Sequence, residues 1–221
     1  MQIEPTKPFR LIVQQIVMAC DWSAIMPILV TGFTPFGGAQ INPSQQIIEH
    51  LAQHRPDIHA RVLPTEYHAS AEMLVKAIDD AQPDAVIMIG VAETRSTISL
   101  ERIAINVDDA AIPDNAGLLK DGQPIDPDGA AAYWSTLPLD AMRDAVQMRG
   151  IPVSISNHAG TYVCNHVFYT ARRMLEHTGR NIPCGFIHVP ALIETAPTGM
   201  PLAQMIEAIE ACIGVLKKPV R

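Results

Sequence analysis

The 221-residue chain lacks paired cysteines, a basic stripe and any apolar run of membrane-spanning length, and each lack weighs against a class of function. Its four cysteines, Cys20, Cys164, Cys184 and Cys212, stand far apart with no CxxC pair. That argues against a zinc site and a disulfide framework, and fits a reducing cytoplasm. Lys and Arg are scattered within a net charge of −7, so no cationic face suggests nucleic-acid binding. No stretch reaches the roughly 20 apolar residues of a membrane helix, and no internal repeat is visible. What is present is 48% hydrophobic residues with a mean hydropathy of +0.14, the balance of a compact enzyme that buries its own core.

The first 25 residues read differently from the rest. Leu11 to Cys20 is apolar but broken by Gln14-Gln15, and Val17 to Cys20 faintly resembles a lipoprotein cleavage site. A non-functional leader fits better, because Met26 directly precedes the first strand. The expected organisation is an extension over residues 1–25, outside the core fold, and a single domain over residues 26–221.

From Pro27 onward, strands alternate with helices. Pro27 to Thr31, Ala60 to Pro64, Asp84 to Gly90, Ile98 to Val107, Ile151 to Ser156 and Cys184 to Val189 have strand character. Asp84 to Gly90 is apolar throughout, as a strand buried on both faces should be. Helices are expected from Ser44, over Ala69 to Ala81 with Met73, Leu74, Ala77 and Ile78 as the apolar stripe, over Leu139 to Gly150, from Thr161, and over Leu202 to Leu216. Ala111 to Pro127, rich in Pro, Gly and Asp, is expected to be a long irregular loop. This alternation predicts an α/β fold, a three-layer α/β/α sandwich around a mainly parallel, mixed central sheet.

Cys164 falls at the point where the strand Ile151–Ser156 and the turn Asn157-His158-Ala159-Gly160 give way to helical spacing. The first turn of a helix carries unpaired amides and the positive end of the dipole, which favour a thiolate. A lone cysteine between Val163 and Val167 is, on this pattern alone, more commonly a small buried apolar residue. His188, the only polar residue in PheIleHisVal, sits near the end of a late strand, where either a core histidine or a general base fits. His158 and His166 compete for that role, but His166, two residues beyond Cys164, lies on another helix face. Glu101, in a strand with Leu100, Ile103 and Ile105, either pairs with a nearby cation or orients an imidazole. Phe33 and Phe36, in GlyPheThrProPheGlyGly at a strand end, make either a packed turn or an apolar slot of the kind where open α/β sheets bind ligands.

Several motifs follow one another in a fixed order. They are GlyPheThrProPheGlyGly (Gly32–Gly38) with Asn42-Pro43-Ser44, IleSerLeuGluArgIleAlaIleAsn (Ile98–Asn106), IleProAspAsn (Ile112–Asn115), AlaTyrTrpSerThrLeuPro (Ala132–Pro138), SerAsnHisAlaGlyThrTyrValCysAsnHis (Ser156–His166) and GlyPheIleHisValPro (Gly185–Pro190). Together they resemble the pyroglutamyl peptidase I (pyrrolidone-carboxylate peptidase) family of cysteine peptidases, from about Ile28 to the C-terminus. The resemblance implies a cysteine exopeptidase that removes an N-terminal pyroglutamyl residue, with Cys164 as nucleophile, His188 as base and Glu101 as orienting acid. It implies that Phe33 and Phe36 pack on the lactam ring, that Asn42 makes a polar contact, and that the backbone of Val163 touches the ring. It further implies a homo-oligomer, a tetramer in many members, and a thiol that needs reducing conditions. Peptides bearing N-terminal pyroglutamate are the implied partners, and no metal or organic cofactor is implied.

Three positions depart from the family pattern. Ala111 stands where many members carry an arginine implied to help the oxyanion, Glu93-Thr94 replaces a glycine-rich pair, and Val91 stands where some members have a polar substrate contact. Arg95 is retained. Two other functions therefore stay open: a silent homologue that binds pyroglutamyl peptides or a partner without cleaving them, and an amidase for another small cyclic acyl group.

Overall fold

The computed structural model describes residues 26–217; the expectations for residues 1–25, Cys20 included, lie outside it. The elements run β1 (Ile28–Phe33), α1 (Pro43–His54), β2 (Ile58–Leu63), α2 (Tyr67–Ala81), β3 (Ala85–Val91), β4 (Ile98–Glu101), β5 (Ile103–Ile105), β6 (Ala132–Trp134), α3 (Leu139–Gln147), β7 (Val153–Ser156), α4 (Val163–His177), β8 (Cys184–Val189) and α5 (Leu202–Leu216). Six strands form one sheet in the order β2-β1-β3-β8-β4-β7. The first four are mutually parallel, β4 runs antiparallel to β8, and β7 pairs parallel with β4. The sheet is thus mixed but mainly parallel.

Period-two alternation sorts the side chains of the central strands between two helical layers. Ile87, Ile89, Ile98, Leu100, Ile187 and Val189 join one core with the apolar faces of α1, α3 and α5. Val86, Met88, Cys184 and Phe186 join a second core with α2 and α4. The result is the three-layer sandwich that the element order predicts. Because Phe186 and Glu101 are partners across β8 and β4, and His188 pairs in register with Ser99, the polar members of these strands share the α4 side.

The helices start where local chemistry allows. Asn42 caps α1 by accepting from the Ser44 amide at 3.0 Å, and Pro43 follows at a position that needs no amide donor. α2 ends at Gln82, whose φ of 41° lies in the left-handed region. Its buried stripe is Tyr67, Ser70, Leu74, Ala77 and Ile78; Met73, expected in that stripe, is 44% exposed.

The segment Ile98 to Val107 is not one strand. It divides at Arg102, whose amide donates to Ser156 O on β7 while its carbonyl accepts from the Ser135 amide just beyond β6. Arg102 thereby turns the chain out of the main sheet, and β5 pairs antiparallel with β6 in a separate two-stranded ribbon. β6 is too short and too exposed to carry a periodic signal in sequence.

Candidate active site

Cys164 is the second residue of α4, after the N-cap Tyr162. The amides of Asn165 and His166 donate to Tyr162 O, and those of Val163 and Cys164 precede any intrahelical acceptor. The fully buried Asn165 fixes this end of the helix. Its side-chain oxygen accepts from Ile105 N at 3.0 Å, and its Nδ2 donates to the carbonyls of Ile105 and Val107. The thiol leans on β3 at Gly90, where a Cβ would lie 2.8 Å from Sγ and 2.9 Å from the Phe186 ring. Only glycine there lets the sulfur approach the sheet, and Gly90 is the register partner of His188.

Electrostatics at the sulfur differ from the helix-terminus expectation. Burial pushes the Cys164 thiol up to about 12, the Glu101 charge adds to that, and its own amide and Arg95 pull it back only in part. The dipole alone does not hold a thiolate here, because desolvation of the charged form outweighs it. Ionisation requires a base close by.

His188 and Glu101 supply a fixed pair. His188 Nδ1 lies 2.7 Å from Glu101 Oε1, and both side chains are buried. A carboxylate only accepts, so Nδ1 carries the proton and the lone pair of Nε2 is free for another partner. Burial opposes ionisation of Glu101. The hydrogen bond and charge of His188, then Ser156 and Arg95, outweigh it and hold the carboxyl below its ordinary value. Arg95 Nη1 reaches the same oxygen at 2.5 Å, and Nη2 reaches His158 O at 3.4 Å. The other two histidines are occupied elsewhere. His158 is exposed and accepts from Gly160 N through Nδ1. His166 is buried and faces Asp108.

Cys164 and His188 line one cavity of about 220 Å³ at the C-terminal ends of β1, β3 and β8, together with Phe33, Phe36, Val91 and Arg95. Phe33 is 2% exposed and stands 6.3 Å from Phe186, ring to ring. Phe36 packs on Tyr162 at 5.8 Å, and Tyr162 meets the edge of Tyr67. Asn42 also lines the cavity, but its oxygen caps α1 and its nitrogen donates to Thr34 O at 3.1 Å. Val163 is fully buried and, unlike its neighbours Tyr162 and Cys164, does not line the cavity. Tyr162, Thr65 and Thr161 line the cavity and escaped sequence reasoning; Tyr162 and Thr161 lie in the same run as Cys164, but nothing in their spacing marks an aromatic wall.

Ala111 is exposed on the long loop. Glu93 and Thr94 occupy a turn in which neither has positive φ, so no glycine is demanded there. Among the described residues, no group of three or more His, Cys, Asp or Glu side chains is placed to hold a metal. The arrangement can take a proton from a thiol, present the sulfur to a carbonyl carbon beside helix-terminal amides, and return the proton to a leaving amine.

The sequence profile of pyroglutamyl peptidase matches residues 26–218. A pyrrolidone-carboxylate peptidase of Thermoanaerobacter is 43% identical over 203 residues, covering 89% of this chain and 100% of its own. One from Streptococcus pyogenes is 44% identical over 195 residues, covering 85% and 91%. The crystal structure of pyroglutamyl peptidase I from Bacillus amyloliquefaciens superposes with a TM-score of 0.82 at 35% identity, covering 87% of this chain and 97% of that one. Pyrrolidone carboxyl peptidase from the hyperthermophile Pyrococcus furiosus gives 0.82 at 39% identity, with 86% and 98% covered.

Proposed function

Because the chain belongs to the pyroglutamyl peptidase family of cysteine peptidases, we propose that it hydrolyses the amide bond after an N-terminal pyroglutamyl residue using Cys164, His188 and Glu101. The observation that carries this assignment is the shared cavity: it holds the sulfur of Cys164 and the ring of His188, whose far nitrogen is fixed 2.7 Å from Glu101.

The steps follow from the geometry. His188 Nε2 takes the thiol proton, which offsets the burial that keeps Cys164 neutral. Sγ attacks the acyl carbon, and the oxyanion faces the amides at the start of α4. The C–N bond breaks as His188 returns the proton to the leaving amine, and a pyroglutamyl thioester remains. Water, deprotonated by the same nitrogen, then frees pyroglutamate. Glu101 keeps the imidazole in the required tautomer and stabilises its cationic form. A lactam has no ammonium to neutralise, so an apolar slot of Phe33, Phe36, Val91 and Tyr162 suits it. Of the polar contacts that the resemblance implies, Asn42 lines the cavity with its side chain already bonded to Ser44 and Thr34, and Val163 lies outside the lining. With alanine at position 111, stabilisation of the oxyanion rests on backbone amides.

A cytoplasmic setting and homo-oligomeric assembly belong to the same proposal. The first is supported by cysteine usage, since Cys164, Cys184 and Cys212 are all free thiols. The second is supported by family resemblance.

The test is hydrolysis of pyroglutamyl-aminomethylcoumarin under reducing conditions, with Cys164→Ser as control. Dye release that disappears in the variant is expected. Failure of the folded wild-type protein to release dye, together with an iodoacetamide-insensitive Cys164, would favour a silent homologue. Failure with a reactive thiol would point to a different acyl group.

A further inference from the structure

Just before the long loop's exposed tip, Asp108 is completely buried, and its carboxylate faces His166 Nδ1 at 2.8 and 3.1 Å. Six residues later Asp114 is also buried, and its Oδ2 accepts from the Tyr67 amide at the start of α2 at 2.9 Å. The stretch between these carboxylates crosses the cavity's aromatic wall. Asp109 exchanges two bonds with Thr161, Pro113 O accepts from the Tyr162 hydroxyl at 3.0 Å, and Asn115 reaches both Thr65 O and Pro35 O. Thr65, Thr161 and Tyr162 line the cavity, and Pro35 directly precedes Phe36.

We infer that His166 is a positioning residue for the acyl site: by holding Asp108 it pins a strap, residues 108–115, that sets the spacing between Phe36 and Tyr162. The inference rests on the pyroglutamyl-peptidase reading only for the identity of the ring the slot receives. The physical reason is a contrast in bond quality. The strap's bonds to Pro35, Thr161 and Tyr162 are exposed and compete with water. A buried bond with an ionised partner is about twice as strong as a neutral one and is not replaced by solvent. Lys120 Nζ, 3.9 Å from Asp108 and seated over the Tyr67 ring, is the other charge facing the pair. The imidazole also packs edge-on against Tyr67 and His68, which holds its ring plane. His166 therefore acts through the strap and touches neither the sulfur nor the substrate.

The test compares wild type, His166→Phe, Asp108→Asn and Ile213→Ala in the full chain. Phe keeps the ring's packing and removes the bond; Asn keeps an acceptor for Nδ1. Ile213→Ala opens a void in the opposite core and reports general destabilisation. With pyroglutamyl-aminomethylcoumarin, His166→Phe is expected to raise KM about tenfold, the effect of losing one such bond, while kcat stays within about threefold. Asp108→Asn, which keeps the acceptor but not the charge, is expected to raise KM by less than His166→Phe does, and Ile213→Ala to leave KM unchanged. Hydrogen exchange should quicken in residues 108–115 of His166→Phe and not in β3 or β8. An unchanged KM, a loss confined to kcat, an equal KM rise in Ile213→Ala, or unaltered exchange in the strap each overturns the inference. If wild type is inactive on this substrate, the functional reading fails instead, and the exchange measurement alone decides whether His166 pins the strap.

Discussion

At Glu101 one carboxylate oxygen accepts from two donors, His188 Nδ1 at 2.7 Å and Arg95 Nη1 at 2.5 Å. The carboxyl stays ionised against the cost of its burial because of them. The sign of the pH effect follows. A depressed carboxyl remains charged down to a lower pH than a free one, so its contribution is lost only as pH falls through that depressed value. Removing Arg95 removes one of the influences that lower it. Arg95→Gln is thus expected to move the acid limb of the kcat/KM profile to higher pH, measured with a fluorogenic pyroglutamyl substrate. An acid limb that stays in place would show that Arg95 does not tune the carboxylate. Glu101→Gln should be far more damaging, roughly 10³–10⁴-fold in kcat, because the imidazole loses its tautomer control. Neither the shared oxygen nor the neutral state of the Cys164 thiol is visible in sequence. Arg95 and Glu101 are only six residues apart, but their meeting requires the chain to turn between β3 and β4.

On the scale of single elements, the site depends on how helices begin. Asn42 closes α1 and at the same time ties back to Thr34 O, so one side chain joins the helix to the loop that follows Phe33 and carries Phe36. Asn42→Ala is expected to lower stability by about 1 kcal/mol, the usual worth of an N-cap, read from the urea midpoint at constant m. It should also raise KM, since the loop is released. A stability loss with KM unchanged would make Asn42 a cap alone. The start of α1 was legible because Asn-Pro-Ser is a strong local signal. The start of α4 was legible from turn residues followed by helical spacing. The division of Ile98–Val107 at Arg102 was not, because it is set by Ser156 and Ser135, partners distant in sequence. The exposure of Met73 was hidden because it stands at the edge of the buried stripe Tyr67, Ser70, Leu74, Ala77 and Ile78, where spacing alone does not separate inside from outside.

For the molecule as a whole, titration of buried thiols sets an upper limit on the pH of stability. Burial pushes the fully buried Cys184 and Cys212 each up to about 12. A raised thiol pKa means the folded state holds the proton more tightly than the unfolded chain does. The associated stability is complete below about 8.5 and is lost as pH rises toward the folded value, at about 1.4 kcal/mol per unit. The urea midpoint is expected to be flat near neutrality and to fall above about pH 9, with a shallower fall in Cys212→Val. A midpoint equally steep in that variant would remove Cys212 from the account. The sequence by itself determined the alternation of elements, and hence the layered sandwich, because hydrophobic period and turn chemistry are local. Its ordered motifs also carried the family and the identities of Cys164, His188 and Glu101 as candidates. The tertiary structure alone decided which atoms meet. Gly90 admits the sulfur, β4 runs against β8 to bring Glu101 to His188, and a strap from the irregular loop closes over the aromatic wall. These are contacts between segments far apart in the chain, governed by packing distance and desolvation, and no local pattern encodes either.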